Sequence, residues 1–191
     1  MTTPTTRVFD VAADVNVDAL VLPSMTAEQV VAAEVLWRPH RLSVGGEHSH
    51  WDWALKIGRI AIPGSRIVGV ECRGAVEGMA LIFERGYFTR LPPDVGRPLL
   101  YVDFIEAAPW NLRTSPTGQR YAGVGLALMR FAVEKSVELG CGGRVGLHSL
   151  PQSERFYAVS CGMLGGEVDF GYYGLKYYEF TQALGTAFLE E

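Results

Sequence analysis

Residues 118–131 read GQRYAGVGLALMRF, with Gly123 and Gly125 one residue apart at the mouth of a long amphipathic run. Downstream, Arg130, Glu134 and Glu138 fall four apart and form one polar stripe while the other faces are apolar. That spacing predicts a helix over 123–139 lying on a sheet. Glycines opening a helix suggest a phosphate loop, and two versions of that idea fail here. A P-loop needs a lysine and then Ser or Thr after its last glycine, and neither glycine is so followed. A dinucleotide fingerprint needs a third glycine, and Leu126, Ala127 and Leu128 stand in that region instead. What is left is Arg120-x-x-Gly123-x-Gly125 at a strand-to-helix turn.

Outward from this turn, the period changes. Runs at 67–73 (IVGVECR), 75–83 (AVEGMALIF) and 99–107 (LLYVDFIEA) are strand-like, the first two joined at Gly74 as a hairpin. After the helix, Gly140, Gly142 and Gly143 mark its end, 144–150 is a strand, 153–160 a short helix, and 168–173 and 175–181 two closing strands. Near the start, 1–14 reads as a loose Thr-rich arm and 15–22 as an edge strand ended by Pro23. Ser24 or Thr26 caps a helix in which Val30, Ala33, Leu36 and Trp37 share a face and which Pro39 stops. A second short helix is predicted over 48–59, with Trp51, Ala54 and Leu55 on one face. The strand-helix-strand unit in the middle requires a right-handed crossover and a parallel pair. The expected fold class is therefore α/β with a mixed sheet and helices on both faces, in one domain spanning 1–191.

With this order in place, the glycine segment resembles the pyrophosphate-binding motif of the GNAT superfamily of acyl-CoA-dependent N-acyltransferases, written Gln or Arg-x-x-Gly-x-Gly or Ala. Two flanking segments resemble the same family. YVDFIEAAPW (101–110) is similar to its fourth strand, and SERFYAVSCGM (153–163) to its Ala-x-x-Phe-Tyr-x-x-x-Gly-Phe helix. The resemblance covers roughly 99–166 and implies a sheet of six to seven strands. The chain departs from the family pattern in an enlarged loop, WNLRTSPTGQ at 110–119, and in Leu150 and Pro151 where many members carry asparagine.

The resemblance also implies chemistry. Acetyl-CoA would be the cosubstrate, its diphosphate held by backbone amides of Tyr121, Ala122, Gly123, Val124, Gly125 and Leu126 beside Arg120, and its pantetheine arm by the main chain of Ala107 and Ala108. Glycines allow close approach, and the helix N-terminus favours negative charge. The acceptor would be an amine, a small molecule or a protein group, attacking the thioester directly. A primary amine has a pKa of roughly 10, so a proton acceptor is required. Glu106 is the preferred base, with Asp103 and His148 as alternatives. Tyr157, in the Phe-Tyr pair, would protonate the departing thiolate. Without turnover, the same features describe a coenzyme A-binding or regulatory module.

Composition limits other classes. Seventeen Lys and Arg against twenty-one Asp and Glu give a net charge of -4 with no dense basic run, which argues against a nucleic-acid footprint. Cys72, Cys141 and Cys161 lie far apart without metal or disulfide spacing, which suits a reducing cytoplasm. Cys161 reads as a core residue rather than a nucleophile. No export signal is evident and no apolar run approaches the roughly 18 residues of a membrane span. His48 and His50 form an HxH pair without a third ligand, so no metal is assigned. The aromatic segment GYYGLKYYEF, 171–180, is a candidate homodimer surface.

Overall fold

The computed structural model describes residues 4–190. In chain order the elements are β1 (Thr5–Asp10), β2 (Val15–Leu22), α1 (Ala27–Val44), α2 (Trp53–Lys56), β3 (Ser65–Cys72), β4 (Ala75–Phe88), β5 (Pro98–Ala107), β6 (Tyr121–Ala122), α3 (Val124–Glu138), β7 (Val145–Ser149), β8 (Leu164–Asp169), β9 (Leu175–Phe180) and α4 (Gln182–Glu190). The described strands form a mixed sheet in the order β6-β1-β2-β3-β4-β5-β7-β9-β8, nine rather than the expected six to seven. Contacts divide the chain into two compact units. Unit 1 runs to Leu81 and includes Ile105–Leu128; unit 2 comprises Ile82–Phe104 and the chain from Met129 onward.

Unit 1 corrects the reading of the N-terminus. Thr5–Asp10 are not a loose arm: they form β1, which pairs antiparallel with β2 on one side and β6 on the other. β2 is consequently internal rather than an edge, because it also pairs with β3. The alternation in RVFD, with Val8 and Asp10 buried, is short and easily read as polar. The turn at Gly74 is confirmed: Arg73 and Gly74 have φ of 51° and 78°, the pair of positive values that a type I′ hairpin turn requires.

Helix α1 begins in a capping box, Thr26 Oγ1 accepting from Gln29 N and Gln29 Oε1 from Thr26 N. It does not stop at Pro39 but runs through it to Val44. An internal proline costs about 3 kcal/mol, so the last turn must be held by something stronger than propensity. Arg41, buried within that turn, supplies it. The core face also differs from expectation: Val30, Ala33 and Trp37 are buried, but Leu36 is exposed, and Glu34 and Arg41 face inward. The predicted helix over 48–59 shortens to α2 followed by a 3-10 turn at Ile57–Ala61, with Trp53 buried and Leu55 exposed. Asp52 caps it by accepting from Ala54 N and Leu55 N.

In unit 2, β5 pairs parallel with β7 over Leu100–Val102 and Val145–Leu147, the crossover pair anticipated from the sequence. β7 pairs antiparallel with β9, and β9 with β8. β8 lies earlier than predicted, and 170–172 form a 3-10 turn. The segment after β9 forms a further helix, α4. Thr181 caps α4, Phe188 packs on Phe180 at 5.0 Å, and Arg130 donates to the carbonyls of Phe188 and Leu189 at its C-terminus. No described helix is long and apolar enough to cross a membrane.

Gly78 lets β4 approach the start of α3. A Cβ there would lie 2.5 Å from Val124 Cγ1 and 3.0 Å from Leu128 Cδ1. Gly78→Ala is expected to destabilise by about 1–3 kcal/mol through overpacking, read as a lowered midpoint in urea unfolding.

Candidate functional site

The glycine turn is built from below by Glu77 and Asn111. Glu77, on β4 and 1% exposed, accepts from Trp110 Nε1 at 2.6 Å and Asn111 Nδ2 at 2.7 Å, and its carbonyl accepts from Ala108 N at 2.8 Å. Asn111 Oδ1 then accepts from Tyr121 N at 2.9 Å, and Gln119 Nε2 donates to Asn111 O at 2.8 Å. Both ends of the enlarged 110–119 loop are thereby tied together at one buried residue, Asn111. Burial raises the Glu77 carboxyl above its ordinary range, against the hydrogen bonds of Trp110 and Asn111 and the charge of Arg120.

Gly123 has φ +85°, and a Cβ added to it would meet no atom within 4 Å. Its carbonyl accepts from Ala127 N, so it is the N-cap of α3. The amides of Val124, Gly125 and Leu126 lie in the first turn, where the helix provides no acceptor. The other expected amides have different duties: that of Tyr121 is bonded to Asn111, Ala122 pairs with Phe9 in β6, and that of Ala108 is bonded to Glu77. Arg120 stacks over the Trp110 ring at 5.1 Å with Nη1 3.5 Å from Glu77 Oε1. It lines a cavity of about 590 Å³ together with Asp10, Arg73, Glu77 and Tyr121.

Glu106, at the end of β5, is 5% exposed and belongs to a buried network in unit 1. Its oxygens accept from Arg41 Nε at 2.6 Å, Arg41 Nη2 at 3.2 Å and Trp53 Nε1 at 2.7 Å. Arg41 also donates to both oxygens of Glu34 at 2.9 Å and to Trp51 O at 2.8 Å, and Trp53 N donates to Glu34. Burial raises the Glu106 carboxyl, partly offset by the Arg41 bonds and charge. Burial works against the Arg41 cation, but its bonds to Glu34 and Glu106 outweigh that and hold it more firmly protonated. The sequence offered no signal for Arg41, which sat beyond the presumed end of its helix.

Asp103 and Glu106 fall in different units, Asp103 being half-buried on the unit 2 part of β5. On that strand Tyr101 Oη lies 2.7 Å from His148 Nδ1, and His148 Nε2 lies 3.2 Å from Asp169 Oδ2. Tyr172 stacks on His148 at 4.0 Å, and Arg90 Nη1 is 2.5 Å from Asp169 Oδ2. Both imidazole nitrogens are engaged, and burial lowers the pKa of His148. Tyr157 sits in a π-helical turn, Phe156–Ser160, packed against Phe156 and Tyr178. Its hydroxyl bonds to no other described residue, and burial raises its pKa, so it stays protonated. Cys161 is buried and its thiol is pushed up to about 12, the state of a core residue. In the aromatic 171–180 segment, Tyr173 is exposed while Tyr177, Tyr178 and Phe180 are buried.

Solved structures share this architecture. An acetyltransferase from Trypanosoma brucei matches with a TM-score of 0.53 at 20% identity, over 80% of this chain and 96% of that one. A protein of Desulfovibrio desulfuricans assigned to the GNAT acetyltransferases matches at 0.53 and 13% identity, over 84% and 96%. The fold is the GNAT fold. The N-acetyltransferase YlbP of Bacillus subtilis, solved with coenzyme A, matches at 0.52 and 12% identity, over 85% and 95%. No protein-family model and no curated protein matches the sequence. Against the GNAT frame expected from the sequence, β1 and β6 are additional strands, β1 pairing with β2 and β6 with β1.

Arg41 is the member of the Glu106 network whose loss leaves charge uncompensated. Arg41→Met should destabilise by about 3–5 kcal/mol near neutral pH, since a buried pair is broken on one side. The pH dependence has a definite sign. A raised carboxyl pKa favours the folded state most below the unfolded value, and that contribution is lost as pH rises through the folded one. The deficit of Arg41→Met should therefore shrink as pH falls into the carboxylate range, measured by urea unfolding at several pH values.

Proposed function

We propose that the chain is an acetyl-CoA-dependent N-acyltransferase acting on a primary amine by direct attack in a ternary complex, as one catalytic domain. The observation that carries this is the N-terminus of α3. Gly123 holds a left-handed conformation with open space around it, and the following amides of Val124, Gly125 and Leu126 lack helical acceptors. Such a turn suits a diphosphate, which the helix dipole favours. Arg120, half exposed with Nη1 3.5 Å from Glu77 Oε1, is the basic group that precedes this turn. Coenzyme A in YlbP is consistent with the same donor class.

In this reading the amine nitrogen attacks the thioester carbonyl carbon. The N–C bond forms, the C–S bond breaks, and the oxyanion is met by a main-chain N–H at Ala107. Glu106 takes the proton of the incoming ammonium at Oε1, which accepts one hydrogen bond, from Arg41 Nε, and so retains an acceptor position. The second N–H proton goes to solvent as the C–S bond breaks. Its raised pKa makes it a better base than an ordinary carboxylate. Tyr157, protonated and with its hydroxyl bonded to no other described residue, gives its proton to the thiolate and regains one from solvent. Asp103 stands as the alternative carboxylate.

One observation favours a coenzyme A-binding module without turnover, namely the saturation of Glu106 Oε2 by Arg41 and Trp53. Calorimetry with acetyl-CoA and thiol release with a panel of primary amines separate the two. Gly123→Val should weaken acetyl-CoA binding at least tenfold. Glu106→Gln and Tyr157→Phe should keep that binding but lower kcat/KM by roughly 10²–10⁴ and 10–10² respectively. Binding without turnover for any amine supports the module, and no heat from acetyl-CoA sinks both readings.

A further inference from the structure

A buried base must discharge its proton on every turnover, and Glu106 is enclosed. Of the groups around it, Arg41 is a firmly protonated cation and the Trp53 indole only donates, so neither can receive a proton. Glu34 is itself buried and bonded through both oxygens to Arg41, which leads back into the core. His48 remains. Its Nε2 lies 3.8 Å from Glu106 Oε1, and its side chain is 11% exposed, between the exposed residues Glu47 and His50.

The position of His48 is fixed rather than incidental. Gly45 and Gly46, with φ of 74° and 102°, turn the chain after α1. Trp51 N donates to His48 O at 2.9 Å, and Trp51 O accepts from Arg41 Nη1 at 2.8 Å. The same guanidinium that grips Glu106 therefore anchors the turn carrying His48. The Trp51 ring packs edge-on against the imidazole at 5.9 Å.

We propose that His48 is the proton exit of the site: the proton taken up at Glu106 Oε1 passes to His48 Nε2, and His48 releases one from Nδ1 to water. This rests on the acyltransferase reading. The 3.8 Å gap is one that a small side-chain rotation closes. The titration behaviour agrees. Burial raises Glu106 and lowers His48, so both shifts narrow the difference between a carboxyl and an imidazole. The charged groups facing His48 are Arg41 from α1 and Glu106 from β5, with Glu47 and His50 from its own turn; Lys56 of α2 sits 5.1 Å over the Trp51 ring. Burial first and then the Arg41 charge keep the imidazole neutral at neutral pH, ready to accept.

The test is thiol release from acetyl-CoA with the amine panel, using wild type, His48→Gln, His48→Asn and Glu106→Gln, with and without added imidazole. Calorimetric binding of acetyl-CoA and thermal unfolding establish that each variant is folded. His48→Gln should lower kcat about 10–100-fold with the KM for the amine unchanged, and imidazole should restore it in proportion to its free-base concentration. Glu106→Gln should not be restored. An active wild type with folded His48 variants that match it, or that fall without rescue by imidazole, overturns the shuttle while leaving the acyltransferase reading in place. A wild type that turns over no amine overturns that reading and the shuttle together.

Discussion

Unit 1 hangs on one buried cation. Arg41 spends its donors on Glu34, Glu106 and Trp51 O, joining α1, the end of β5 and the turn before α2. Removing such charges from water costs several kcal/mol per ion, and only dense hydrogen bonding offsets it. The triad is thus poor evidence for stability but good evidence for position. Each partner is held in place because any slippage would strand a charge in low dielectric. It also explains why α1 tolerates Pro39, since the turn beyond the proline is fixed by tertiary bonds rather than by its own ladder.

A second constraint of the same kind shapes the 110–119 loop. Glu77 and Asn111 supply acceptors and donors to both ends of an insertion that would otherwise lower the precision of the turn leading into α3. Close packing at Gly78 then sets the helix start against β4. Two glycines divide the work. Gly123 takes the left-handed conformation that caps the helix, and Gly78, outside the motif, makes the room that lets the helix sit there.

Unit 2 carries its own polar chain, from Tyr101 through His148 to Asp169 and Arg90, beneath the stacked ring of Tyr172. A strand histidine satisfied on both nitrogens is held in one tautomer and one rotamer, which orders the β5–β7 face on which it lies. Its strand position alone makes His148 an alternative base in the sequence. Its partners Tyr101 and Asp169 are far apart in sequence and gave no periodic signal.

The sequence by itself determined the elements whose cause is local. The hairpin joined at Gly74, the helix N-cap at Ser24 or Thr26, the amphipathic α3 with its wet stripe at Arg130, Glu134 and Glu138, and the parallel crossover all follow from spacing and turn chemistry. The GNAT resemblance of the glycine turn was legible for the same reason, since a left-handed cap at a helix mouth needs particular residues in consecutive positions. What only the tertiary structure decided depends on distant partners. β1 becomes a strand because β2 and β6 supply its ladders, α1 outlives Pro39 because Glu34 and Glu106 hold Arg41, and Tyr121 gives up its amide because Asn111 reaches it. Burial makes the difference in each case, turning residues that read as polar surface into groups whose hydrogen bonds must be satisfied inside the protein.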